Sequence, residues 1–137
     1  MRRFRLLALS LLLASYLGSA PAALAQDTRA FELRTYTAEK GKLEALEKRF
    51  RDHTMRLFAK HGMEVIGFWK PAAEEGEDRK LFYLLAFPSQ AARNDAWSAF
   101  GKDPEWQRVY QESHRDGPLV KKIESTRLDP TDYSPLR

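Results

Sequence analysis

From Leu81 to Phe87 the chain reads Leu-Phe-Tyr-Leu-Leu-Ala-Phe, without a single charged residue. A strand with one wet face alternates apolar and polar residues, so an unbroken apolar run marks a strand covered on both sides. The remaining residues supply helix enough for one of those sides only. The other cover has to come from a second sheet.

The surrounding elements follow from local pattern. Phe31 to Thr37 alternates Phe31, Leu33 and Thr35 with Glu32, Arg34 and Tyr36, a period of two that predicts a first strand. After Gly41, the recurrence of Leu43, Leu46, Phe50, Leu57 and Phe58 predicts one amphipathic helix from Lys42 to His61, stopped by Gly62. Met63 to Lys70, with Val65, Ile66, Phe68 and Trp69, is a second strand. The acidic loop from Pro71 to Arg79 turns it into the third, Lys80 to Phe87. Ser89 is placed to cap a helix running to Phe100 that buries Ala92, Ala96, Trp97 and Phe100. Asp103 before Pro104 starts another, Pro104 to Ser113, with Trp106, Val109 and Tyr110 inward. Leu119 to Leu128 is the last strand, ended by Asp129-Pro130.

This order, strand, helix, strand, strand, helix, strand, is that of the α+β, ferredoxin-like βαββαβ arrangement with an antiparallel sheet. Right-handed crossovers place both helical layers on the same side. The opposite face stays bare, and each large apolar side chain left wet there forfeits roughly 1.5–3 kcal/mol. A second copy related by a twofold axis covers that face most simply, giving a homodimer in which two sheets close into a dimeric α/β-barrel.

Ahead of this domain, Arg2, Arg3 and Arg5, an apolar run from Leu6 to Leu17 and the small-residue site Ala23-Leu24-Ala25 have the three parts of a secretory signal peptide. The expectation is a signal peptide over residues 1–25, a single domain over 26–137, and a periplasmic or secreted location. The apolar run is too short to span a bilayer, so no stable membrane anchor remains after cleavage. Removing 25 of the 137 residues takes three of the 23 basic side chains with it, leaving 20 against 19 acidic ones. A net charge of +1 gives no warrant for nucleic acid as a partner. With no cysteine, packing and assembly rather than disulfides must hold the fold.

Several segments in order resemble one family. Glu32-Leu33-Arg34-Thr35-Tyr36-Thr37, Gly41-Lys42-Leu43, His61-Gly62-Met63 and Gly67-Phe68-Trp69 are followed by Tyr83-Leu84-Leu85-Ala86-Phe87 and Ala96-Trp97-Ser98-Ala99-Phe100. Asp103-Pro104-Glu105-Trp106, Ile123-Glu124-Ser125 and the tail from Pro130 to Pro135 complete the set, and together they are similar to the NIPSNAP family. The resemblance spans nearly the whole domain and implies a dimeric α/β-barrel. That fold also serves cofactor-free monooxygenases, haem-degrading enzymes and stress-response proteins, so the resemblance implies no single reaction.

The candidate pocket residues are Arg34, Tyr36, His53, Trp69, Tyr83, Trp97 and Trp106. Aromatic rings with a polar edge can line a pocket for a planar apolar ligand and orient it through one hydrogen bond, although core packing accounts for each ring more simply. Glu32, Arg34 and Tyr36 share a strand face. If that face is buried, Arg34 needs a carboxylate from Glu32, Glu64 or Glu124, and imperfect pairing would leave it for an anionic ligand. His53, in register with Phe50 and Leu57, is expected to border the sheet, where a helix histidine could ligate haem iron. No second ligand accompanies it, so a hydrogen-bonded histidine is the simpler reading and no cofactor is implied.

His61 and His114 lack the partner spacing of a zinc site, and no metal is expected. Nucleophile elbows and phosphate-cradling glycine loops are both missing from the sequence. Glu74, Glu75, Glu77 and Asp78 read as a solvated hairpin tip, and Lys42, Lys48, Arg49, Arg51 and Arg56 as the wet face of the long helix. Two function classes remain. One is a non-catalytic homodimer that binds a small apolar molecule or a protein partner, with its tail across the neighbouring subunit. The other is a cofactor-free monooxygenase or haem-handling oxidoreductase working between sheet and helices. The first is favoured, and the catalytic residues of the second are unknown.

Overall fold

The computed structural model describes residues 29–72 and 79–137. The expected signal segment and the acidic hairpin tip at 74–78 lie outside the described residues. Four strands, β1 (Ala30–Ala38), β2 (Glu64–Trp69), β3 (Lys80–Phe87) and β4 (Val120–Leu128), form one sheet in the order β2-β3-β1-β4. Every neighbouring pair is antiparallel. The all-apolar β3 is therefore an inner strand, as its composition requires.

One face of the sheet carries all the helices, as the ferredoxin-like order demands. The first helical rod is built of α1 (Leu43–Arg49), a π-helical turn (Phe50–Thr54) and α2 (Met55–Lys60). Gly62, at φ 73°, ends the rod. The amides of Gly62 and Met63 reach back to the carbonyls of Ala59 at 3.1 Å and Phe58 at 3.0 Å, a closure that only a left-handed residue permits without strain. Ser89 Oγ accepts from the Ala92 amide at 3.1 Å to start α3 (Gln90–Lys102). Asp103 Oδ1 accepts from the amides of Glu105 and Trp106 to start α4 (Pro104–Ser113).

Thr54 Oγ1 donates to the Arg49 carbonyl five residues back, at 3.3 Å, inside the π-helical turn. That turn inserts a residue into the regular helical register, so Thr54 rather than His53 follows Leu46, Arg49 and Phe50 into the interior. This corrects two expectations. His53 does not border the sheet but sits half-buried in an outer cleft with Ala45, Asp52 and Glu112. Arg49, expected on the wet face, is only 6 % exposed.

Between helices and sheet, Leu46, Phe50, Leu57 and Phe58 pack on Leu81, Tyr83 and Leu85, with Phe100 closing one side. Phe50 meets Tyr83 and Phe68 edge-on, with ring centroids 5.3 and 5.2 Å apart. Across the sheet, register aligns Leu33 with Leu84, Thr35 with Phe82 and Trp69 with Phe82 on the face away from the helices. Leu33, Phe82 and Leu84 are only partly buried there, and Trp69 is 52 % exposed. The C-terminal tail lies against its own sheet. Pro130, Thr131 and Leu136 line a groove there with Phe31, Leu84 and Leu128. It leaves Phe82 and Trp69 uncovered.

Candidate functional site

Strand alternation sends Glu32, Arg34 and Tyr36 of β1 towards the helices, where Glu32 is fully buried. Its Oε1 accepts from Arg34 Nη1 at 3.0 Å and from the Ser125 hydroxyl of β4. Its Oε2 accepts from Arg93 Nε at 2.6 Å and from Trp97 Nε1 at 2.7 Å, both on α3. Burial by itself would push the Glu32 pKa up. The hydrogen bonds from Arg93, Ser125, Trp97 and Arg34 outweigh it, so the carboxyl titrates below its ordinary range. Of the three carboxylates considered for Arg34, Glu32 is the partner, while Glu64 pairs with Arg29 and Glu124 with Lys122.

Arg34 lies over the Trp97 ring at 4.7 Å and donates from Nη2 to the Tyr36 hydroxyl at 3.3 Å. The Tyr36 ring meets Tyr83 at 5.3 Å and Phe50 at 5.8 Å. Arg34, Tyr36, Tyr83 and Trp97 thus form one interior group. Two of its polar atoms, Arg34 Nε and the Tyr83 hydroxyl, are buried with no hydrogen-bond partner. For Tyr83, burial pushes the phenol pKa well up and keeps it neutral. Trp69 lies outside the group because β2 places it on the opposite sheet face, and the π-helical turn removes His53.

Tyr36 connects this interior to a groove of about 350 Å³ between α4 and the β1–β4 edge. Helical spacing places Trp106 and Tyr110 of α4 and His114 at its C-terminal cap in a row, with neighbouring ring centroids 5.8 and 4.0 Å apart. Val120 and Ile123 of β4 form the facing wall, and Lys121 and Lys122 stand at its rim. Tyr110 and Ile123, which line the same groove from α4 and from β4, are each 48 % exposed. Tyr110, expected inward, forms part of this wall instead.

At the inner end of the groove the Arg49 guanidinium lies 5.3 Å from the Trp106 ring and 5.9 Å from Tyr110. Nη1 donates to Ser113 Oγ at 3.3 Å, and Nε is buried with no hydrogen-bond partner. Burial pulls the Arg49 pKa down, opposed by the nearby phenol oxygens of Tyr36, Tyr110 and Tyr83. Among the described residues no carboxylate forms an ion pair with it. Its position three residues after Leu46 and one before Phe50 was the available sequence signal. The charges around it hid that signal by making the segment resemble a solvent face. Among the described residues no cluster of histidine and carboxylate side chains could hold a metal ion.

An antiparallel β2-β3-β1-β4 sheet with helices on one face and an aromatic groove at its edge defines an α+β protein of ferredoxin-like architecture. The NIPSNAP family model matches residues 31–135, and the chain belongs to that family. A protein named NipSnap in Caenorhabditis elegans is 34 % identical over 73 residues, 53 % of this chain. The match spans only 13 % of that relative's length. A NIPSNAP family protein of unknown function from Agrobacterium tumefaciens superposes with a TM-score of 0.70 at 24 % identity, covering 82 % of this chain and 96 % of that one. A NIPSNAP-like domain protein from Burkholderia xenovorans gives 0.69 at 17 %, covering 80 % and 90 %. SnoaB, a cofactor-independent oxygenase from Streptomyces nogalater, gives 0.57 at 14 %, covering 79 % and 98 %. These structural likenesses show the fold.

Proposed function

We propose that this chain is an exported, homodimeric binding protein whose ligand is a small apolar molecule held in the groove between α4 and β4. The observation that carries the reading is that the half-exposed Tyr110 and Ile123 line one groove with Trp106 and Tyr36, apolar surface that a planar molecule would shield from water. A volume of about 350 Å³ suits a ligand of one to three rings. Export is supported by the arginine-led apolar leader and its small-residue cleavage site. The incompletely covered face around Phe82, Leu33 and Trp69 supports the dimer. Because that face and the groove lie on opposite sides of the sheet, pairing leaves the groove open. A binding role accords with the engagement of the buried Glu32 carboxylate by four donors and the stacking of Arg34 on Trp97.

The neutral dye N-phenyl-1-naphthylamine tests the site through its rise in fluorescence in apolar surroundings. The wild type is expected to bind it saturably, and Ile123→Asp to weaken binding at least tenfold by placing a charge in the wall. Equal binding by the two proteins, or none by either, removes the groove as the ligand site.

A further inference from the structure

Arg49 is a charged group that the fold buries without supplying a counter-charge. A guanidinium taken from water recovers its lost hydration only through hydrogen bonds and an opposite charge, and a buried ion left unpaired is strongly destabilising. The two rings beside it and one hydroxyl recover part of that loss. Nε remains without an acceptor. Arg34 provides the internal contrast, because the same residue type, also facing the helices, is met by Glu32 at 3.0 Å. Arg93 uses that same carboxylate. Glu32 thus compensates Arg34 and Arg93, while Arg49, the guanidinium without a carboxylate, borders the groove. The rim adds Lys121 and Lys122, of which Lys122 is already paired with Glu124.

From this we infer that the ligand of the groove is an amphipathic acid, with its apolar body between Tyr110 and Ile123 and its carboxylate on the Arg49 guanidinium. The inference rests on the groove being the ligand site and adds the charge and polarity of what enters. The planar fork of arginine matches a carboxylate through parallel N–H donors, which a lysine would not reproduce. Trp106 and Tyr110 hold the fork in place, so little side-chain freedom is lost when the acid arrives. Ser113, which orients Nη1, is a positioning residue in this arrangement.

A matched pair of probes, naphthalene-1-carboxylate and naphthalene-1-methanol, separates charge from apolar fit. By calorimetry the wild type is expected to bind the carboxylate at least tenfold more tightly than the alcohol. Arg49→Met should level the two, and Arg49→Lys should restore only part of the preference. Lys121→Gln with Lys122→Gln should leave the preference in place. The wild-type comparison needs no substitution and stands even if a variant at position 49 fails to fold. Equal affinity for acid and alcohol in the wild type, with the neutral dye still bound, overturns the charge assignment and leaves the groove standing. A preference that survives Arg49→Met but vanishes with the two lysines overturns the assignment to Arg49. Failure of acid, alcohol and dye alike overturns the groove itself.

Discussion

Trp97 on α3 donates its indole N–H to the Glu32 carboxylate on β1, 2.7 Å away and 65 residues earlier in the chain. This bond ties a helix to the middle of the sheet, and it belongs to a set in which one carboxylate satisfies two arginines, a tryptophan and a serine. Removing the carboxylate would leave Arg34 and Arg93 facing each other uncompensated. Breaking a buried pair from one side typically costs about 3–5 kcal/mol, and Glu32→Ala is expected to lose about that much in urea denaturation. A loss under about 1 kcal/mol would place the group among ordinary surface ion pairs.

The buried Tyr83 hydroxyl presents the opposite case. Its ring packs against Tyr36, Phe50, Phe58 and Phe68, while its oxygen has no hydrogen-bond partner. Tyr83→Phe keeps the packing and removes a buried hydroxyl that lacks a hydrogen-bond partner. Stability should stay level or rise by about 1 kcal/mol. A destabilisation of about 2 kcal/mol in thermal melts would reveal a partner for the oxygen.

Asp103 governs the response to acid. It caps α4, and its Oδ2 meets Lys60 Nζ at 2.6 Å and His61 Nε2 at 2.7 Å. Lys60 and then His61 hold its carboxyl well below the usual range. A depressed folded-state pKa means that the stabilisation is complete above the unfolded-state value, about 3.9, and is lost as pH falls through the folded-state value. Asp103→Asn keeps a capping side chain but has no charge to lose. The stability gap between wild type and variant should close progressively as pH falls below about 4. A gap unchanged at low pH would show that the cap, rather than the charge, is what matters.

Where a feature depended on a few adjacent residues, the sequence was a sufficient guide. Ser89, Asp103-Pro104 and Gly62 bound their helices as their chemistry dictates, because caps and left-handed turns are local. The Leu81–Phe87 run led to the inner strand because burial on both faces leaves its mark on every residue. The π-helical turn left no such mark. Whether Thr54 or His53 faces inward depends on a one-residue insertion stabilised by the packing of Phe50, Leu57 and Phe58 on a sheet formed by distant segments. For the same reason the charge pattern placed Arg49 in solvent and His53 by the sheet, and the structure reverses both. Trp69 was misplaced by alternation: its strand neighbour Phe68 faces the helices, so Trp69 cannot.

The uncovered sheet face makes the final prediction. Phe82 lies opposite Thr35 on one side and Trp69 on the other, only partly buried, and the tail reaches Phe31 and Leu84 without covering it. Apolar side chains in such a patch contribute roughly 1.5–3 kcal/mol each when a second sheet removes them from water. Phe82→Glu replaces one of them with a charge that a second copy seated on this face would bury. The wild type is expected to show a dimer mass by light scattering at micromolar concentration. The variant should be a folded monomer that keeps its dye-binding groove, because the groove lies on the far side of the sheet. A monomeric wild type would mean that the tail and the exposed strand edges already make this face tolerable in water. A dimeric variant would place the contact elsewhere.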